Sequence, residues 1–141
     1  MSERVPRGDG AEAATGPGGG VYEWYRRGLE LLDDRNPAAA ATLLARAADA
    51  EPDSRSIREA LARAQYDAHR YGEAVASFAA LIAADPTDDY AHFGLGLAAG
   101  RAGDLGVAAE HLALAAAMRP DRPHYARALR DVRARQTRES T

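Results

Sequence analysis

Between Val21 and Arg135 apolar and polar side chains are interleaved without the residue-by-residue alternation of a half-buried strand. Ala, Leu, Arg and Glu dominate this stretch, and all four are good helix formers. Val occurs there only at 21, 75, 107 and 132, and Ile only at 57 and 82. Strands favour β-branched and aromatic residues, so the pattern predicts an all-α chain. Breakers divide it. Asn36-Pro37 is a helix start, with Asn as N-cap and Pro at the first helical position. Glu51-Pro52-Asp53-Ser54 and Asp85-Pro86-Thr87-Asp88 each stop one helix and cap the next, and Arg119-Pro120-Asp121 is a third stop. Arg70-Tyr71-Gly72 and Gly103-Asp104 are tight interruptions, with Asp104 as an N-cap. The expected helices are 21–35, 37–50, 55–69, 72–84, 89–102, 105–118 and 123–135. Residues 1–20, with six Gly and two Pro, cannot bury enough surface to offset ordering and are expected to form a disordered tail. The polar end, 136–141, is expected to fray.

The stops are evenly spaced. Pro52, Pro86 and Pro120 stand 34 residues apart, and in the same frame Leu44, Phe78 and Leu112 align. So do Ala40, Ala74 and Ala108, the small set Gly28, Ala62 and Gly96, and the set Ala47, Leu81 and Ala115. Two helices per 34 residues is the period of a helical repeat whose units stack to share a core. Small residues let paired helices approach, and the larger series fills the space between units.

With these residues the chain resembles the tetratricopeptide repeat family. Three units, 21–54, 55–88 and 89–122, carry its signature positions, and helix 123–135 looks like the cap that closes such an array. The first unit has Trp24, Gly28, Ala40, Leu44, Ala47 and Pro52 in place. Departures are Arg27, Leu31, Arg58, Gln65, His92 and Ala99. The resemblance implies a right-handed α-solenoid of antiparallel helix pairs. It also implies that the first helices line a groove through Tyr22, Tyr25, Leu29 and Leu32, then Ser56, Glu59, Arg63 and Tyr66, then Tyr90, Phe93, Leu97 and Gly100. Five of the nine aromatic residues fall on that surface. Aromatic side chains bury large area with few rotors, so an apolar groove suited to a helix or an extended segment is expected. Its expected peptide-binding residues are Tyr22, Tyr25, Leu29, Glu59, Arg63, Tyr66, Tyr90, Phe93 and Leu97, with Tyr25 and Phe93 as anchors. Aromatics at helical spacing also serve packing alone, and a groove filled by residues 1–20 is a further reading. Some relatives grip a peptide carboxylate with Lys, Asn and Arg. The matching positions here are Tyr25, Leu29, Ala60, Tyr90 and Gly94, so that mode is not expected.

The fifth helix carries Gly94, Gly96 and Gly100. Each costs roughly 1 kcal/mol against Ala in a helix interior. Only Gly96 has a packing reason in the repeat frame, so this helix is expected to open most easily.

Composition narrows the function. The 141 residues suit one domain, with net charge −3, no Cys and no Lys. Zero Cys removes disulfides, thiolate metal sites and a cysteine nucleophile. Ala numbers 34, and with Arg as the sole long-chain cation this suggests a GC-rich, bacterial coding sequence. No apolar run approaches the roughly 18 residues of a membrane span, and no leader pattern is evident, so a cytoplasmic location is expected. His69, His92, His111 and His124 are far apart in sequence with no i, i+4 pair, and the GPGGG run lacks the partners of a phosphate loop. No catalytic constellation or cofactor is expected. From Arg119 to Thr141 seven Arg face three acids, a local +4 against −7 elsewhere. That helix is either a solvated cap or a contact for nucleic acid or an acidic partner. The expected function is a non-catalytic protein- or peptide-binding adaptor, with self-assembly into homo-oligomers as the other alternative.

Overall fold

A computed structural model gives the structure of residues 20–140. Among these residues are seven helices and no strand: α1 (Val21–Asp33), α2 (Pro37–Ala50), α3 (Arg55–Asp67), α4 (Tyr71–Ala84), α5 (Asp89–Arg101), α6 (Leu105–Met118) and α7 (Pro123–Glu139). Most of the expected tail, residues 1–19, lies outside the described residues.

The connections repeat with the sequence. Each first helix ends in the same six-residue turn. The amide of Asn36 donates to the Leu31 carbonyl at 2.8 Å, Arg70 to Gln65 at 2.8 Å, and Asp104 to Ala99 at 2.9 Å. These are Schellman closures, which need a left-handed residue just past the helix. Arg35 (φ 59°), His69 (φ 63°) and Gly103 (φ 97°) supply it. The interruption expected at Arg70-Tyr71-Gly72 is thus corrected. The break is made by His69, α4 begins at Tyr71, and Gly72 sits inside its first turn. The other connections are extended at Glu51, Asp85 and Arg119. Ser54 and Asp88 then cap α3 and α5 by accepting from the Ile57 and Ala91 amides at 3.3 and 3.0 Å. Asp104 caps α6 from the Val107 amide at 3.1 Å. Asn36 stands at the N-cap of α2, but its side chain makes no cap bond there.

Each helix packs on its neighbours in sequence. In addition α1 touches α3, α3 touches α5, and α5 touches α7. First helices therefore approach one another more closely than second helices do. Two layers of unequal spacing curve toward the tighter one, so α1, α3, α5 and α7 form the inner, concave layer. Ala40, Ala74 and Ala108 are each 0% exposed, which fixes the close approach of each pair. A Cβ on Gly28 would stand 2.6 Å from Leu44, and one on Gly96 would stand 2.7 Å from Leu112. Both glycines are required by contact.

Two elements are packed in ways the sequence did not suggest. Helix α7 runs past Arg135, where fraying was expected, to Glu139. Its last turns lie against the α5 and α6 ends, where Arg135 donates to the Gly100 carbonyl at 3.3 Å and Gln136 to the Leu105 carbonyl at 3.4 Å. Arg135 therefore belongs to the packed face and not to the solvated one. Helix α5, expected to be the weak point, is the most enclosed, with eight buried residues including all three of its glycines. A Cβ on Gly94 would overlap the Phe78 ring, so this glycine also has a packing reason.

Candidate functional site

The inner layer carries a pocket of about 180 Å³ between α3 and α5. Its walls are Arg63, Tyr66, Tyr90, Phe93 and Leu97, all first-helix residues expected at the groove. The repeat frame brings them together because each sits at an inward position of its helix. The remaining wall was not evident from sequence. Asp67 lies one residue beyond the groove positions, and Phe78 reaches in from α4 because Gly94 presents no Cβ to stop it. The sequence signal was Gly94, a glycine with no role in the repeat frame.

Tyr90 meets Phe78 edge-on at 6.1 Å. Phe93 is gripped from α7, with Tyr125 at 4.6 Å and His124 at 5.3 Å. Tyr125 is itself pinned by donating to Asp89 at 2.6 Å. The aromatic wall is therefore pre-ordered. Burial pushes the Tyr90 hydroxyl above its usual range, with the nearby Arg63 partly opposing. Arg63 is exposed and brings a cation to a rim that also carries the exposed Asp67.

Tyr22, Tyr25, Leu29 and Glu59 lie outside this pocket. Tyr25 and Leu29 pack against the core of the first two helix pairs, whereas Tyr22 is 68% exposed. Trp24, beside them, holds the Arg46 guanidinium 4.3 Å from its ring centre. The two residues expected as anchors thus separate: Phe93 lines the pocket and Tyr25 does not.

A second recess of about 330 Å³ opens at the C-terminal ends of the first helices. Leu32, which sits at a groove position, lines it, and it shares Tyr66 and Asp67 with the first pocket, so the two adjoin.

Two histidines remote in sequence also meet. His92 and His111 stack at 5.1 Å, with their Nδ1 atoms 2.9 Å apart. His92 Nε2 lies 3.0 Å from the Pro86 carbonyl. A carbonyl only accepts, so His92 carries its proton on Nε2 and its Nδ1 accepts from His111. Among the described residues no group of three or more His, Asp or Glu could hold a metal. No described helix is long and apolar enough to cross a membrane.

A tetratricopeptide repeat model matches residues 25–89 and again 59–123. The chain belongs to the tetratricopeptide repeat family. Solved repeat structures share the fold. MamA residues 41-end from Desulfovibrio magneticus RS-1 superposes with a TM-score of 0.80 at 21% identity, over 84% of this chain and 67% of that one. The first repeat domain of Spaghetti (RPAP3), bound to the HSP90 peptide SRMEEVD, gives 0.76 at 14% identity, over 83% and 93%. YrrB, a repeat protein described as having an unusual peptide-binding site, gives 0.73 at 23% identity, over 77% and 56%. No curated protein sequence matches the chain.

Proposed function

We propose that this repeat protein is a non-catalytic adaptor that holds a peptide segment of another protein in its concave groove. The observation that carries the reading is the pre-ordered pocket of Tyr66, Tyr90, Phe93 and Leu97, half-buried apolar side chains on the inner layer with Arg63 at their edge. Concave, mostly apolar sites with few polar groups are where ligands are bound. Rigid aromatic walls bind at low entropic cost. Peptide recognition by RPAP3 and YrrB, on the same fold, supports the reading. Tyr25, Leu29, Tyr22 and Glu59 would extend the groove toward the first unit.

The test is affinity capture with the full chain. Leu97→Arg places a charge in the pocket, and Ala79→Arg places one on the outer layer, where Ala79 is exposed. Both variants should keep their helicity. The partner should be lost with Leu97→Arg and kept with Ala79→Arg. Equal retention by both would defeat the groove reading and move attention to the Arg-bearing outer face of α7.

A further inference from the structure

The recess at the C-terminal ends of the first helices has its own chemistry. Arg35, His69 and Arg101 line it together with the Tyr71 ring. His69 stacks on that ring at 5.5 Å, Tyr66 meets it edge-on at 5.4 Å, and the Arg101 guanidinium lies 5.0 Å from its centre. The Tyr71 hydroxyl is buried without a hydrogen-bond partner. Among the described residues no carboxylate is ion-paired with Arg35, Arg63 or Arg101. Asp67 is the one acid in the lining. On a chain of net charge −3 the recess thus sets two guanidinium groups, Arg35 and Arg101, against one carboxylate, Asp67.

The backbone adds an independent observation. Arg35 and His69 occupy left-handed φ, where non-glycine residues are strained. The equivalent third-unit position, outside the recess, is Gly103, which bears no such strain. Strain retained at Arg35, whose side chain faces the cavity, points to a binding role for that side chain.

We propose that this recess is an anion subsite that takes an Asp or Glu side chain of the segment held in the groove, with Arg35 and Arg101 as its charged partners. The proposal rests on the groove reading, since Tyr66 and Asp67 are common to the walls of the two cavities. The recognised motif is an apolar side chain in the Tyr90–Phe93–Leu97 pocket and an acidic one a short distance along the segment. Arg is suited to the task because its planar fork matches a carboxylate.

The experiment selects binders to the immobilised full chain from a random 12-residue peptide library displayed through its C-terminus, so that only side-chain carboxylates are available. The same selection is run on Arg35→Ser/Arg101→Ser, and on Arg63→Ser as a control at the neighbouring pocket. All three side chains are exposed, so the variants should remain folded, which circular dichroism checks before selection. Wild-type selection should enrich an apolar anchor with an acid at fixed spacing, and the double variant should lose the acid and keep the anchor. Replacing that Glu by Gln should weaken binding about tenfold to wild type and leave binding to the double variant unchanged. Enrichment of an apolar anchor without an acid overturns the subsite and leaves the groove standing. Acid enrichment abolished by Arg63→Ser but not by the double variant also overturns it. Failure to select any peptide overturns the groove reading and the subsite together.

Discussion

Three glycines of similar sequence context have opposite meanings once their neighbours are known. Gly94 abuts the Phe78 ring, itself 2% exposed and unable to move aside. Gly94→Ala gains about 1 kcal/mol of helix propensity but overpacks the core at about 1–3 kcal/mol. We expect a net loss of up to about 2 kcal/mol, seen as a lower thermal midpoint. Gly100 has Ala108 at 3.5 Å as its nearest neighbour, an ordinary contact. Gly100→Ala should therefore raise the midpoint, by about 4 °C if the full propensity difference of roughly 1 kcal/mol is realised. The repeat frame marked Gly96 as a contact residue from sequence. Gly94 was not legible, because its partner comes from the preceding repeat unit.

The His92–His111 pair is also a residue-scale device. Burial and, after it, the His92 ring hold the His111 imidazole below its ordinary value, with Glu110 opposing. Below about pH 6.5 the unfolded chain takes up a proton that folded His111 resists. The stability contribution is thus full above that pH and is lost as the pH falls through the lowered folded value. His111→Gln should flatten the fall in the urea midpoint between about pH 7.5 and 5.5. An unchanged slope would show that the pair does not carry it.

At the scale of elements, helix identity and order were plain in the sequence. The Pro series and the absence of strand-like runs sufficed. Helix ends were less plain, for a physical reason. Gly72 looked like the breaker, yet a left-handed turn can be closed by any residue that surrounding packing holds there, and His69 is held by its stack on Tyr71. Arg35→Gly should remove left-handed strain of about 1–2 kcal/mol while adding about 0.5–1 kcal/mol of unfolded-state entropy. A net gain of roughly 0.5 kcal/mol in urea unfolding is expected. If the recess is a binding site, this gain comes with weaker peptide binding. The extension of α7 past Arg135 was not legible because its anchors, Gly100 and Leu105, lie some thirty residues back, beyond the reach of local pattern.

For the whole molecule, the solenoid divides its core between a cluster built on α1, α2 and α3 and one spanning α3 to α7. Helix α1 has one buried residue, Gly28, whereas α5 has eight. Amide exchange should therefore be slowest in α5 and fastest in α1, the reverse of what glycine content alone predicts. The groove was half legible. Spacing put Arg63, Tyr66, Tyr90, Phe93 and Leu97 on one surface, where they do line one pocket. It could not say that the pocket would form between α3 and α5, with Tyr25 and Leu29 outside it, or that turn residues such as Arg35 and His69 would face a cavity.

The concave groove is the central claim, and photo-crosslinking tests it whatever the partner is. A photoreactive phenylalanine analogue is placed in the full chain at position 63 in the groove, at 79 on the outer layer, or at 130 on α7, and activated in the native host. A groove that holds a partner segment predicts a discrete heterologous adduct from position 63 and none from 79 or 130. Adducts confined to 79 or 130, or an adduct at 63 with the mass of two copies of this chain, would contradict it.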